Sequence, residues 1–398
     1  MHRCHLPVYD EKKCAFFALG RNAMYAACRM LDLKAGDEVL TPAFDCDGSL
    51  QPFRVLGLKL KFFRSDPYTF SADIDDIKRK ITRGTKLLHI INHFGMPQDW
   101  NSLFALRREG GIPILEDNAY SLFSTNDDRP FGTFGDLSIF SLWKNLPLVD
   151  GGMLRVNDPA YTVTGFRREA KWLYPAEYRE ALRIAGKGLG VRVMMRLFKS
   201  IMKGLDPSLA PPPPLYSEPE KGYPQWPLRD IIAEEFSCDY LRPMSGLARS
   251  QLNKYTAEHF TDIVNKKRAH YGRLSAELKD VKGLHVLMPE LPEGATPFCL
   301  SFLVDSGRDA MFDKLRKKYD VMAWPTLSTP VLDNLKDYPD VELLGRKIIQ
   351  VNLPSDRVRE PGFQRYLENI VWDIRYLAER QSGIWKDSTN EISLDRRY

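Results

Sequence analysis

The sequence predicts an α/β protein: a mainly parallel sheet flanked by helices, followed by a smaller C-terminal α/β domain. Short apolar runs alternate with amphipathic stretches from residue 14 to about residue 160, and strands that alternate with helices pair in parallel and are covered on both faces. The apolar runs end in polar side chains at their carboxyl ends, Asn92-His93 and Glu116-Asp117 among them. Ligands of open α/β sheets gather at that edge. At 398 residues the chain also exceeds the ~250–300 at which one core stops growing, so a second domain is expected.

Taken in order, Gly20-Arg21-Asn22-Ala23 opens a helix to about Leu33, with Ala23, Met24, Ala27 and Met30 at helical spacing. Glu38 to Pro42 reads as a strand stopped by proline, Ser49 to Leu56 as a helix, and Lys59 to Phe63 as a strand. Asp73 can cap a helix from Ile74 to Ile81, because its carboxylate accepts from first-turn amides. A strand over Lys86–Ile91, a helix over Trp100–Arg108 and a strand over Ile112–Asp117 follow. The strand Leu137–Leu142 delivers Lys144 into a segment that Pro147 and the pair Gly151-Gly152 should keep out of regular structure. Beyond residue 236, helices are expected over Ser245–Leu252, Phe260–Leu278, Ala310–Tyr319 and Gly362–Ala378. The strands expected there are Gly283–Met288, Phe298–Val304 and Lys347–Leu353.

This divides the chain into an N-terminal arm (1–13), a large domain (14–176), an inserted segment (177–235), a smaller domain (236–385) and a polar tail (386–398). The insert ends in a proline-rich connector that includes Pro211-Pro212-Pro213-Pro214. Within it, on a helix from Gly188 to Gly204, Arg192, Arg196, Lys199 and Lys203 form a narrow basic stripe beside a wide apolar face. Two readings stay open: an in-plane membrane helix near anionic lipids at the inner face of the membrane, or a helix buried in a dimer interface.

A net charge of +5, 43% hydrophobic and 27% charged residues fit a soluble globular protein and give no reason to expect nucleic acid. No apolar run approaches the roughly 20 residues that span a bilayer. The start, Met1-His2-Arg3-Cys4-His5, lacks the apolar core of a signal peptide. Six scattered cysteines without a CxxC pair suit reduced thiols and a cytoplasmic location. His2, Cys4 and His5 read as an ordinary terminus, and no metal site is expected.

Lys144 can be tested against the demands of one cofactor. Pyridoxal phosphate needs a lysine for its aldehyde, a carboxylate to keep its ring nitrogen protonated, and an anion site for its phosphate. Lys144 meets the first and Asp117, at a strand end, the second. The helix after Gly20 offers amides and the positive end of its dipole, and Ser141 adds a hydroxyl.

The segments Gly36-Asp37-Glu38-Val39-Leu40-Thr41-Pro42, Asn92-His93-Phe94-Gly95, Glu116-Asp117-Asn118-Ala119, Gly135-Asp136, Ser141-Leu142-Trp143-Lys144-Asn145 and Gly151-Gly152-Met153, in this order, carry a resemblance. Together they resemble the DegT/DnrJ/EryC1/StrS family of sugar aminotransferases, densely over 14–160 and loosely over 240–380. The resemblance implies the fold-type-I architecture, pyridoxal 5'-phosphate as cofactor and a homodimer with sites at its interface. It assigns Lys144 as the Schiff-base lysine and Asp117 as the partner of the ring nitrogen. Arg21, Asn22 and Ala23 fall where the phosphate is held, mainly through backbone amides, with Ser141 beside them. An aromatic residue usually stacks on the cofactor after the GDEV proline; here Phe44 or Cys46 takes that face. Ala119 follows the acid, and Tyr120 stands where many members carry Gln or His. His93 and Asn145 are candidate substrate contacts.

A retained lysine implies transamination, since deoxygenating relatives carry histidine there. The implied reaction moves an amino group from a donor, glutamate, to a nucleotide-linked keto-sugar for surface-polysaccharide or secondary-metabolite sugars. Two other readings are open: transamination of a non-sugar ketone such as a cyclitol, and a catalytically silent regulatory relative.

Overall fold

A computed structural model of the chain describes residues 4–166, 171–172, 239–325, 327–353 and 360–381. The expected inserted segment, its basic stretch 188–204 and the polar tail 386–398 lie outside the described residues.

The large sheet has the order β1-β9-β8-β5-β4-β2-β3. Its strands are β1 (Cys14–Phe17), β2 (Glu38–Pro42), β3 (Lys59–Phe63), β4 (Thr85–Ile91), β5 (Ile114–Asn118), β8 (Leu137–Ser141) and β9 (Gly152–Val156). β8, β5, β4, β2 and β3 pair in parallel, and β9 runs antiparallel to both of its neighbours. The sequence reading assigns neither β1 nor β9. β1 spans four residues, and β9 opens on a glycine pair whose local preference is for a turn. The connecting helices are α1 (Gly20–Met30), α2 (Gln51–Val55), α3 (Ile74–Lys80) and α4 (Trp100–Gly110). Asp73 caps α3 as expected, accepting from the amide of Asp76 at 2.9 Å. α2 starts two residues later than expected, because Ser49 bonds Asp45 and the carbonyl of Cys46 and so closes a turn ahead of the helix. A short hairpin, β6 (Thr125–Asn126) and β7 (Arg129–Pro130), lies between β5 and β8.

Beyond residue 239 a second sheet has the order β10-β11-β13-β12 and is wholly antiparallel. Its strands are β10 (Leu284–Val286), β11 (Cys299–Val304), β12 (Val321–Met322) and β13 (Ile348–Asn352). Two long helices, Ala257–Leu278 and Glu360–Gln381, pack on it around Tyr271, Leu274, Phe302, Val351, Ile370 and Ile374. None of the helices among the described residues is long and apolar enough to cross a membrane.

Glu116 on β5 is fully buried and fastens the loop that precedes β8. It accepts from the amides of Gly132 (2.6 Å), Phe134 (2.9 Å) and Gly135 (3.0 Å), and from Ser138 Oγ (3.0 Å) and Asn92 Nδ2 (3.1 Å). A buried carboxylate is tolerated when its lone pairs are met, and removing it strands every donor. Glu116→Ala is therefore expected to destabilise the protein by at least about 3 kcal/mol, read as a fall in the urea midpoint. A midpoint within error of wild type would show that the loop is held by other contacts.

Candidate active site

The parallel strands place their carboxyl ends at one edge, and the candidate residues gather there. Lys144, Asp117, Ala119, Tyr120 and Cys46 line one cavity together with Asp45, Ser49, Ile91 and Trp324. Lys144 does not sit in an irregular segment as expected. Leu142–Asn145 forms a single helical turn, α5. The amides of Leu142 and Trp143 both bond the Gly151 carbonyl, at 2.8 and 3.4 Å, and Leu146 N bonds Leu142 O at 2.8 Å. Pro147 falls just past this turn, so its missing donor costs nothing there. Asn145 braces the turn by donating to Ala119 O and Ser141 O, both at 3.0 Å. It is a strut and does not line the cavity.

The Lys144 ammonium lies 4.0 Å from the centroid of the Tyr120 ring, a cation–π contact that gains strength away from water. Burial opposes the charge on Lys144, but Tyr120, Cys46 and Asp117 outweigh it, so the amine titrates above its ordinary value. Burial also raises the Tyr120 phenol and pushes the Cys46 thiol up to about 11. At neutral pH the thiol is therefore protonated. Asp117 is buried, with Oδ1 accepting from Ala119 N at 2.7 Å and Oδ2 facing His89 Nε2 at 3.3 Å.

The first turn of α1 lies beside Ser141. A Cβ added to Gly20 would stand 3.2 Å from Ser141 Cβ, and one added to Gly152 only 2.1 Å from the Leu19 carbonyl. Glycine at 152 is thus what lets β9 run under the start of the helix. The side chain of Asn22 caps the helix through Leu19 N (3.1 Å) and donates to Tyr240 O (3.1 Å). Ala23 is buried in the core, and Arg21 donates to Gln51 Oε1 at 3.0 Å. The amides of Asn22 and Ala23 are already directed at Leu19 O, at 3.1 and 3.3 Å. The part of this helix end nearest Ser141 is accordingly Gly20.

Of Phe44 and Cys46, the thiol residue faces the cavity. Phe44 is turned into an aromatic cluster with Phe70, His93 and Trp324. His93 belongs to that cluster as well: its Nε2 bonds Phe44 O at 2.9 Å, and burial lowers its pKa to about 4. It does not line the cavity, because the residue after the strand turns back into the core at Phe94, whose φ is 54°. Sequence reasoning passed over Asp45, Ser49, Ile91 and Trp324. Asp45 had a signal in its place just after the strand that ends at Pro42. Trp324 had none, since it arrives from the second sheet on the segment after β12.

Asp45 is 2% exposed, and burial pushes its carboxyl up to about 7, against opposing help from His89 and Ser49. An acid whose folded pKa is raised favours the folded state below its unfolded value near ~3.8 and loses that advantage as pH rises to about 7. Asp45→Asn is thus expected to raise the unfolding free energy at pH 8 by roughly 1–4 kcal/mol, read as a higher urea midpoint, and to leave the midpoint nearly unchanged at pH 4. A midpoint gain equal at both pH values would mean that the carboxyl is not held neutral.

The donor set fits pyridoxal phosphate: an amine, a buried carboxylate across the same cavity, and a helix start beside a serine hydroxyl. About 20 Å³ lies open among the lining side chains, room for about one water. Trp324, on the segment after β12, is the lining residue supplied by the C-terminal part of the chain.

Comparison with known proteins bears on this geometry directly. Residues 8–167 match the DegT/DnrJ/EryC1/StrS aminotransferase family. The chain is 32% identical over 157 residues to a dTDP-4-dehydro-2,3,6-trideoxy-D-glucose 4-aminotransferase of Saccharopolyspora spinosa, covering 39% of this chain and 40% of that protein. It is 31% identical over 141 residues to a GDP-perosamine synthase of Escherichia coli O157:H7, covering 35% and 39%. The chain thus matches about two fifths of the length of these relatives. The whole fold resembles the aminotransferase TlmJ from Streptoalloteichus hindustanus, with a TM-score of 0.61 at 20% identity, over 93% of this chain and 87% of that one. The architecture is the fold-type-I one expected from the sequence.

Proposed function

We propose that the protein is a pyridoxal phosphate-dependent aminotransferase that moves an amino group onto a nucleotide-linked keto-sugar. The observation that carries this is one cavity, at the carboxyl edge of the parallel strands, lined by both Lys144 and Asp117. The names of the relatives support the substrate class, since those proteins act on dTDP- and GDP-linked sugars.

Bound here, pyridoxal phosphate would supply an aldehyde for Lys144 and an electron-withdrawing ring. Lys144 would hold the cofactor covalently at rest. Freed by an incoming amino donor, it would move a proton from the donor's α-carbon as general base. Asp117 would face the ring nitrogen and balance its positive charge. Gly20 and Ser141 would meet the phosphate at the start of α1, with the helix dipole favouring the anion. Cys46 and Ala119 would flank the ring, small enough to admit it. Glutamate as donor and pairing of two copies of the chain complete the reading.

A half-reaction screen tests it. The protein is loaded with pyridoxal phosphate, its visible band is followed as amino donors are added, and keto compounds are then tried for restoring the band. Borohydride before donor should fix the cofactor to Lys144, as read by mass spectrometry. Saturation with cofactor without labelling of Lys144 would overturn the assignment. Restoration by cyclitol-type ketones and not by nucleotide keto-sugars would redirect the substrate.

A further inference from the structure

We infer that His89 is a positioning residue for Asp117, supported on its far ring nitrogen by Thr41, and that together they aim the carboxylate into the cofactor cavity. This rests on the cofactor reading above. The starting point is a fully buried histidine in the apolar half of strand β4, which no step of that reading uses.

Strand register brings the groups together. Leu40 of β2 pairs with Leu88 of β4, so Thr41 and His89 are cross-strand neighbours. Ile91 of β4 pairs with Asp117 of β5, so Asp117 lies two positions further along, on the face that His89 shares. Thr41 Oγ1 lies 2.9 Å from His89 Nδ1, and His89 Nε2 lies 3.3 Å from Asp117 Oδ2. Both Thr41 and His89 are fully buried. From α2, the Phe53 ring packs edge-on against the imidazole, with centroids 5.3 Å apart at 70°. The ring of His89 is therefore fixed by contacts from three elements.

The proton on the imidazole can be placed by elimination. An ionised carboxylate only accepts, so the nitrogen facing Asp117 must carry the hydrogen. In neutral imidazole the other nitrogen then accepts, and the Thr41 hydroxyl is its donor. Asp117 selects the tautomer that donates to it, and the Thr41 hydroxyl, able to donate or accept, completes that tautomer by donating to Nδ1. Ala119 N holds the other oxygen of Asp117 at 2.7 Å. With a donor on each oxygen, the carboxylate plane cannot turn about its χ2 torsion, which is otherwise soft.

The test uses the full-length protein loaded with pyridoxal phosphate and three variants, His89→Leu, His89→Gln and Thr41→Val. His89→Leu is expected to weaken cofactor binding at least about tenfold, the scale seen when an orienting partner of a ligand group is lost. It should also shift the visible band of the bound cofactor and lower kcat far more than it changes the donor's KM. In His89→Gln the amide can still donate to Asp117 and accept from Thr41, so the band should return toward wild type. Thr41→Val should shift the band in the same direction as His89→Leu, by less. Wild-type affinity and band in His89→Leu, with only a lower unfolding midpoint, would overturn the inference and leave the cofactor reading intact. If His89→Leu does not fold, an unchanged band in Thr41→Val overturns it. Failure of the wild-type protein to load on Lys144 would remove both.

Discussion

Replacing Lys144 with alanine is expected to leave a folded protein that binds pyridoxal phosphate without a covalent link and turns over at least ~10²-fold more slowly. Lys144 is buried in a cavity whose other titratable members are acids, a thiol and a phenol, so the turn Leu142–Asn145 brings no second amine into it. The loss should therefore appear in kcat as well as in borohydride labelling. Arginine at this position keeps the charge over Tyr120 but cannot form the bond or release a proton near neutral pH, so Lys144→Arg should be as inactive as alanine. A small primary amine added to Lys144→Ala should restore part of the rate, since it can replace a missing base but not missing structure. Near-normal turnover in either variant would mean that another group moves the proton, and Asp45, a second buried carboxyl in the same cavity with a pKa raised to about 7, would become the candidate.

The parallel core was legible because its signals are local. β4 and β5 open from short apolar stretches and are followed or closed by polar residues, and that pattern alone puts Asp117 at the carboxyl edge. What could not be read depends on contacts distant in the chain. β9 begins with glycines that look like a turn until the start of α1 is laid over them. The helix start expected to meet a phosphate shows contacts the sequence does not announce: the amides of Asn22 and Ala23 face the carbonyl of Leu19, and the side chain of Asn22 accepts from Leu19 N. Trp324 reaches the cavity across some two hundred residues, and no periodicity reports that. His89 was visible as a letter, but its value lies in strand register: a shift of one residue would point it at the opposite face.

Asp117→Asn should cost more than its near-identical shape suggests. On the proposed reading, Asp117 would keep the ring nitrogen of a bound cofactor protonated, and a carboxamide carries no charge to balance it. The local donors make the substitution worse. Ala119 N requires an acceptor at one position and His89 Nε2–H an acceptor at the other, whereas asparagine offers one oxygen and one NH₂ group. Either the amide oxygen serves Ala119 and the NH₂ group opposes His89, or the reverse arrangement leaves Ala119 unmet. Relief would require His89 to change tautomer, which in turn would force the Thr41 hydroxyl to accept. The expected result is a fall in kcat of at least ~10²-fold with the cofactor still linked to Lys144, and a shifted visible band. Thr41→Val added to Asp117→Asn should then cost less than it does alone, because the tautomer it protects is no longer the useful one. A cofactor analogue methylated on the ring nitrogen, with a fixed positive charge, should recover part of the rate in Asp117→Asn. If the analogue gives no recovery and the two substitutions add, Asp117 acts through structure and not through charge at the ring.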